Sequence, residues 1–188
     1  MNPLFGSVTE LSKFFMSQVI RPGDYVIDAT AGNGYDTLFL ANLVLDKGKV
    51  FSFDIQKQAI ESTKNQLIKA EILHRVELYH RNHIYIKEYV HDKIKGAMFN
   101  LGYLPNSDHS ITTKGHSTIT ALKQVLELLL SGGLVSICLY YGHLEGKKEL
   151  EEVLSFIQTL DYKLYNVVKI DYYNKIHNPP KLVIIEKR

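Results

Sequence analysis

Cysteine is almost absent from this sequence of 188 residues, which contains only Cys138. No disulfide can form within the chain, and this composition is typical of proteins from reducing, cytosolic compartments. Cys138 lies in an apolar run over residues 134–139, where a cysteine is usually part of a buried core. We therefore expect a cytoplasmic protein in which Cys138 is a core residue and not a nucleophile.

Long apolar runs and a strong charge of one sign are also lacking. No run approaches the roughly 18 residues of a membrane-spanning helix, and the first residues show no signal-peptide pattern. The formal net charge of +2 does not by itself predict a nucleic-acid partner. The eight histidines lack the spacing of metal ligands, so no metal site is predicted. The length predicts one domain, residues 1–188, with residues 1–22 as a helical segment packed on it.

The sequence does contain alternating short apolar runs and runs with helical spacing. The runs with helical spacing predict helices over residues 7–20, 35–45, 56–72, 116–130 and 147–160, with a short helical stretch after residue 83. The short apolar runs predict strands over residues 25–27, 50–53, 75–79, 96–99, 134–140, 162–171 and 182–185. Strand–helix units followed by two strands without an intervening helix predict an α/β fold: a doubly wound parallel sheet with a C-terminal antiparallel hairpin.

Polar residues stand where the predicted parallel strands end. They are Asp28, Asp54, Asn82, Asn100 and Tyr140. Because ligands of doubly wound sheets bind at the carboxyl ends of the strands, we expect these residues to share one ligand site.

A turn with two glycines, residues 32–34, follows the first strand, and a helix begins directly after it. Backbone N–H groups in such a turn are free to face a ligand. A nicotinamide dinucleotide site would require a third glycine, but Thr37 stands in its place. Asp54 suits a ribose diol, and Asp28, in front of the glycines, suits a positively charged ligand group.

Three motifs make the sequence similar to a known family. They are DATAGNGYDT at residues 28–37, FNLGYLP at residues 99–105 and YYGHLEG at residues 140–146, supported by NPP at 178–180 and IEK at 185–187. With these motifs the sequence resembles class I S-adenosylmethionine-dependent methyltransferases, and is most similar to a small bacterial group labelled as rRNA methylases. The resemblance extends over nearly the whole chain.

The resemblance implies a Rossmann-like, seven-stranded, mostly parallel sheet with a C-terminal antiparallel hairpin, and S-adenosylmethionine as cofactor. It also implies tRNA as the partner, contacted at the anticodon stem-loop. The implied reaction is N-methylation of the 5-aminomethyl group of a modified (2-thio)uridine at the wobble position, giving the 5-methylaminomethyl form.

The resemblance also assigns roles to individual residues. Those expected to bind the cofactor follow strands or lie in the glycine turn: Asp28, Ala31, Gly32, Asn33, Gly34, Asp54, Ile55, Gln56, Asn82, His83, Asn100, Leu101 and Gly102. Those expected to take part in catalysis are Asn100, Tyr103, Asp36 and His143, and those expected to bind substrate are Tyr140, Tyr141, His109 and Lys114. Residues 100–103 resemble the N-P-P-Y loop of amino methyltransferases, with Leu101 and Gly102 replacing the two prolines. An Asn side-chain oxygen there can accept N–H bonds from an amine and direct its lone pair.

Simpler roles remain open for the same residues. Asp28 and Asp54 can act as helix caps, and an acid at Asp36 favours a helix N-terminus electrostatically. His83 and His143 can be ordinary solvated histidines. Five basic residues are either phosphate contacts or a scattered solvated surface: Arg81, Lys114, Lys147, Lys148 and Lys175.

Three alternatives remain for the function. A methyltransferase acting on rRNA or on a small-molecule amine would share the motifs. A nicotinamide-dependent oxidoreductase is disfavoured by the absent third glycine, and a non-catalytic RNA-binding module by the near-neutral charge. The aromatic residues in 162–173 suggest a homodimer.

Overall fold

The computed structural model describes residues 5–102 and 112–188. The helices are α1 (Val8–Val19), α2 (Tyr35–Val44), α3 (Lys57–Lys69), α4 (Ile86–Tyr89), α5 (Gly115–Leu128) and α6 (Leu144–Ile157). The strands are β1 (Tyr25–Asp28), β2 (Lys49–Asp54), β3 (Val76–His80), β4 (Ile94–Asn100), β5 (Leu129–Leu139), β6 (Tyr165–Ile170) and β7 (Lys181–Lys187). Short 3₁₀ turns lie at Leu73–Arg75 and His83–Tyr85.

The seven strands form one sheet in the order β3-β2-β1-β4-β5-β7-β6. Strands β1 to β5 run parallel to one another, whereas β7 runs antiparallel to both β5 and β6. The strand order reverses between β1 and β4. From β1 the chain continues to β2 and β3 on one side of the sheet, and β4 and β5 lie on the other side. In an open α/β sheet, the crevice above such a reversal is where ligands bind.

The two faces of the sheet are covered by different helices, because successive side chains of a strand point to opposite faces. Val26 of β1 packs in the cluster that contains residues of α1, α2 and α3. Its neighbour Ile27 packs in the cluster with residues of α4, α5 and α6. Burial on both faces explains why the central strands are nearly continuous apolar runs.

Helix α1 is held on the sheet from its first turn. Ser7 caps the helix, its hydroxyl accepting the Glu10 N–H at 3.1 Å. Leu11 and Met16 are buried in the core. The hydroxyl of Ser12 hydrogen-bonds that of Ser136 on β5, and both side chains are buried. These contacts join α1 to the middle of the sheet.

The predicted seven-stranded sheet with its antiparallel C-terminal hairpin is confirmed. Several boundaries differ, among them the starts of β5 and α6. Strand β5 begins at Leu129, so residues 131–133, which lie between the predicted helix and the predicted strand, are inside the strand. Helix α6 begins at Leu144, before the predicted residue 147. Within the described residues, no helix is both long enough and apolar enough to cross a bilayer.

Candidate active site

A cleft of about 640 Å³ opens at the carboxyl edge of the sheet. It is lined by Ala29, Thr30, Gly32, Asn33, Tyr35, Asp54, Ile55, Gln56, Arg81, Asn82, His83, Asn100, Leu101, Gly102, Thr112, Thr113, Ser117, Tyr140, Tyr141, Gly142, His143 and Asn178. Small-molecule sites typically occupy ~300–1,000 Å³, so the cleft has the size of a cofactor site. It brings together four of the five polar residues that stand at or just beyond strand ends, namely Asp54, Asn82, Asn100 and Tyr140, but not Asp28.

The glycine turn is tied to the end of β2 through one carboxylate. Asp54 accepts the Gly32 N–H at 2.9 Å and the Gln56 N–H at 2.8 Å. Burial raises the pKa of Asp54 above its ordinary value, and these backbone hydrogen bonds oppose the rise. Asp54 thus holds the turn against β2 while it lines the cleft, a position that suits both the ribose role and the simpler structural role.

Gly34 ends the turn in a conformation that favours glycine, with φ of 85°. A β-carbon at this position would lie 2.9 Å from the Thr63 Cα on α3. Gly34 and Ala31 are both buried and outside the cleft lining. These two predicted cofactor residues therefore support the turn on the side away from the cleft, whereas Gly32 and Asn33 line the cleft.

Asp28 lies beneath the turn and is only 1% exposed. Its carboxyl group accepts the Thr30 N–H at 3.1 Å and the Thr37 hydroxyl at 2.5 Å. Burial raises the pKa of Asp28 to about 7, and the nearby charge of Asp36 adds to the rise. Because Asp28 is absent from the cleft lining, this placement argues against direct ligand contact and favours a structural role.

Asn100, at the end of β4, is held in one orientation by two neighbours. Its backbone N–H donates to Thr30 Oγ1 at 2.8 Å, and its side-chain Nδ2 donates to Asp36 Oδ2 at 3.3 Å. A carboxylate only accepts hydrogen bonds, so the amide must turn Nδ2 toward Asp36. The Asn100 Oδ1 is thereby left as the acceptor end of the amide in the cleft wall.

Asp36 lies behind Asn100 and is 7% exposed. Its second oxygen, Oδ1, lies 3.4 Å from the Lys13 Nζ of α1. Both carboxylate oxygens are therefore engaged, and Asp36 is absent from the cleft lining. The structure thus argues against Asp36 contacting a substrate amine itself and favours a role in positioning Asn100.

Asn82 and His83 follow β3 and form the opposite part of the cleft wall. Asn82 caps the short turn that follows, accepting the Ile84 N–H at 3.0 Å. The buried His83 ring donates from Nδ1 to the Ala29 carbonyl at 3.1 Å, since a carbonyl only accepts. Burial lowers the pKa of His83, which keeps the ring neutral and leaves Nε2 as an acceptor.

The remaining predicted residues line the cleft at the end of β5, lie away from the cleft, or fall outside the described structure. Tyr140, Tyr141 and His143 line the cleft where β5 leads into α6. Lys114 is exposed, precedes α5 and does not line the cleft, which argues against contact with the reacting group. Tyr103 and His109 lie outside the described residues.

Several residues of the site are missing from the sequence prediction. Thr30 supports the Asn100 backbone, Lys13 pairs with Asp36, and Asn178 reaches the cleft from the β6–β7 connection. Thr113 closes the other wall, where its hydroxyl accepts the Gly102 N–H at 2.9 Å. Thr30 and Asn178 fall inside recognised motifs, so motif position was an available signal. Nothing in the sequence around Lys13 indicates its partner.

S-adenosylmethionine fits the residues of this cleft. The His83 Nε2 is buried and has no hydrogen-bond partner among the described residues, so it remains available to the amino group of an adenine. Asp54 stands at the strand end that usually faces a ribose, and Gly32 leaves the turn without a side chain. Among the described residues, no cluster of His, Cys, Asp or Glu is arranged to hold a metal ion.

Solved structures share this fold along the whole chain. A "putative rRNA-methylase" from Clostridium thermocellum has a TM-score of 0.96 and 42% identity, covering 97% of this chain and 98% of its own. A "putative methyltransferase" from Streptococcus mutans, solved in complex with SAH, has a TM-score of 0.88 and 42% identity, covering 96% of this chain and 97% of its own. The fold and the site define a class I methyltransferase, the class that uses S-adenosylmethionine.

The family follows from sequence comparisons. The model of the family described as "Putative rRNA methylase" matches residues 50–186. A curated relative from Arabidopsis thaliana, the chloroplastic tRNA (mnm(5)s(2)U34)-methyltransferase, is 38% identical over 98% of this chain and 72% of its own length. The chain belongs to this rRNA_methylase family, and the resemblance found in the sequence is confirmed.

Proposed function

We propose that the chain is an S-adenosylmethionine-dependent N-methyltransferase of tRNA. Its proposed reaction methylates the 5-aminomethyl group of a modified (2-thio)uridine at the wobble position. The 38% identity to the Arabidopsis enzyme named for this nucleoside supports the substrate. The oriented amide of Asn100 in the cleft wall supports transfer to a nitrogen, because it presents an acceptor to an N–H group.

Catalysis in this site consists mainly of positioning. When bound, S-adenosylmethionine supplies an electrophilic methyl group on a sulfonium. Asn100 Oδ1 accepts an N–H of the neutral substrate amine and directs the nitrogen lone pair along the transfer axis. The Asp36 carboxylate holds the side-chain amide of Asn100 and the Thr30 hydroxyl holds its backbone N–H, so little reorganisation is needed during reaction.

The cofactor and the substrate base contact different walls of the cleft. Asp54, Gly32 and His83 hold the cofactor on the β1–β3 side. Tyr140 and Tyr141 offer ring faces to the uracil on the β5 side, where a base must leave its stack to be reached. We assign to His143, on the same side, the uptake of the proton that the amine releases.

The broader assignments are part of the same proposal. The wobble position lies in a loop, which supports recognition of the anticodon stem-loop, and a tRNA substrate supports a cytoplasmic location. The continuous sheet with α1 packed on it supports a single methyltransferase domain.

The test is nucleoside mass spectrometry of RNA from a strain that lacks the gene, complemented with three plasmid copies. We expect the 5-aminomethyl nucleoside to accumulate in the deletion strain and to be methylated again by the wild-type copy. The Asn100→Ala copy should fail, with kcat at least ~100-fold lower when the protein is assayed alone. Calorimetry should still show cofactor binding to this variant.

The matched control is Asn166→Ala, which removes the same group from the exposed edge strand, where Asn166 contacts Glu186. This copy should restore methylation fully. An unaltered tRNA profile in the deletion strain would rule out the substrate. Loss of a methylated nucleoside from rRNA in the same samples would favour the rRNA alternative, and unchanged turnover of Asn100→Ala would remove that residue from the site.

A further inference from the structure

The β6–β7 connection lies at the same edge of the sheet as the active-site cleft. Both β5 and β6 pair antiparallel with β7, so β6 runs in the direction of β5. Its carboxyl end is therefore at the cleft edge, and its amino end is at the opposite edge. Residues 171–180, which follow β6, continue into the cleft wall through Asn178.

Ion pairs hold the two ends of this connection together. Asp171 lies 3.0 Å from the Lys169 Nζ and 2.5 Å from the Lys181 Nζ. The Lys175 Nζ donates to the Gly6 carbonyl at 3.0 Å and lies 3.6 Å from the centre of the Tyr172 ring. The connection is thus anchored at its base and near its middle, which lowers the entropy that binding would cost.

The connection exposes aromatic, apolar and positively charged groups together. Tyr173 is fully exposed, and Ile176 is 76% exposed. Residues 169–181 contain three lysines against one aspartate. Protein surfaces that bind single-stranded nucleic acid combine exposed aromatic faces with lysines along the backbone path.

We propose that residues 171–180 form the docking surface for single-stranded RNA next to the target nucleotide. Tyr173 stacks on a neighbouring base, and Lys175 contacts a phosphate. This inference rests on the proposed function, since it places the RNA that flanks the base in the cleft. Continuity with the cleft through Asn178 and the excess of lysine favour RNA over a second copy of the chain.

The structure also separates the two exposed tyrosines that together suggested a dimer surface. Tyr162, 76% exposed, precedes β6 and lies at the edge opposite the cleft, whereas Tyr173 follows β6 at the cleft edge. Tyr162 and its neighbour Lys163 therefore provide matched controls for Tyr173 and Lys175.

The experiment uses tRNA purified from cells that lack the gene, and measures methyl transfer and equilibrium binding. We expect Tyr173→Ala to raise the KM for tRNA roughly tenfold, because loss of one stacked base weakens binding by about that factor, with kcat and cofactor affinity unchanged. Tyr173→Phe retains the ring face and should restore KM. Tyr162→Ala should behave as wild type.

Lys175→Ala tests the phosphate contact through salt dependence. The slope of log affinity against log salt should fall by about 0.7, the value for one phosphate contact on a single strand. Lys175→Arg should retain the slope, and Lys163→Ala should leave it unchanged.

The outcomes separate the two proposals. If the wild-type protein methylates no tRNA, the proposed function fails and this inference fails with it. If the wild type is active and Tyr173→Ala matches it in KM and binding, only the docking surface is overturned. A change of sedimentation on Tyr173→Ala with tRNA binding intact would assign the surface to a second copy of the chain instead.

Discussion

At the scale of residues, the site is organised by two carboxyl groups that lie outside the cleft lining. Asp28 and Asp36 lie beneath the cleft wall, and each orients a neighbour: Asp28 the turn at Thr30, Asp36 the amide of Asn100. Two buried acids so close together repel each other when both are charged. Lys13, 3.4 Å from Asp36, offsets one of the charges.

The first prediction concerns Lys13. Lys13→Met leaves Asp36 without its cation, so Asp36 holds the Asn100 amide less firmly, and kcat should fall about tenfold with an unchanged KM for tRNA. Lys13→Arg keeps the charge and should recover most of the activity. The control is Lys64→Met on the exposed face of α3. Steady-state kinetics with full activity in Lys13→Met would refute the positioning role.

The second prediction concerns the pH dependence of stability. In the unfolded chain Asp28 releases its proton near the ordinary pKa of 3.8, whereas the folded protein retains the proton until about pH 7. The folded state therefore binds more protons between these values, and the stability contributed by Asp28 falls as pH rises through this window. This contribution is complete below the unfolded pKa and is lost above the folded one.

Asp28→Asn should remove this dependence, because an amide can replace the protonated acid between Thr30 and Thr37. Urea unfolding from about pH 5 to 8 should show the wild type losing on the order of 3 kcal/mol relative to the variant. Parallel curves for the two proteins would mean that Asp28 titrates normally.

At the scale of elements, the strand–helix succession was predictable because each central strand is buried on both faces and each long helix on one. The boundaries of the elements were not predictable where tertiary contacts decide them. Residues 131–133 contain two glycines and resemble a turn, yet β5 passes through them because its register with β4 shifts between Ile94 and Gly96. Helix α6 contains Gly146 near its start, a position where the Tyr140 carbonyl leaves no room for a β-carbon, so this glycine is required by packing and does not mark a turn.

Some residues of the site were likewise predictable from the sequence, and others were not. Its strand-end residues were predictable, since parallel strands place them at one edge. The partner of Asp36 was not, because Lys13 reaches it from a helix more than twenty residues earlier in the chain, and only the packing of α1 brings the two together.

The third prediction tests the glycine turn as an element. Gly34→Ala forces a side chain into a left-handed conformation against the Thr63 backbone, and should lower the free energy of unfolding by about 2–3 kcal/mol. Gly142→Ala has nothing within 4 Å of the added carbon and should change stability by less than about 0.5 kcal/mol. Urea denaturation of both variants measures the difference, and equal midpoints would contradict the role of Gly34.

At the scale of the whole molecule, the single cysteine reports on the integrity of the sheet. Cys138 lies on β5 between β4 and β7, and burial raises its pKa to about 12. At pH 8 only about one thiol in ten thousand would be ionised, and the thiolate is the reactive form.

The fourth prediction is therefore that native protein does not react with an aromatic disulfide reagent, whereas protein unfolded in guanidinium reacts fully. In dilute denaturant the labelling rate should follow global unfolding measured by circular dichroism. Prompt labelling of the native protein would show that β5 is accessible without unfolding.

Helix α1 gives the whole molecule an order of assembly. It is synthesised before β4, β5 and β7, the strands whose surfaces it covers. The helix must wait for more than a hundred residues before it can dock, as is usual for contacts distant in sequence. Since docking also brings Lys13 to Asp36, the ion pair behind Asn100 forms only when α1 rests on these strands, and we expect full activity only from a chain whose sheet is complete.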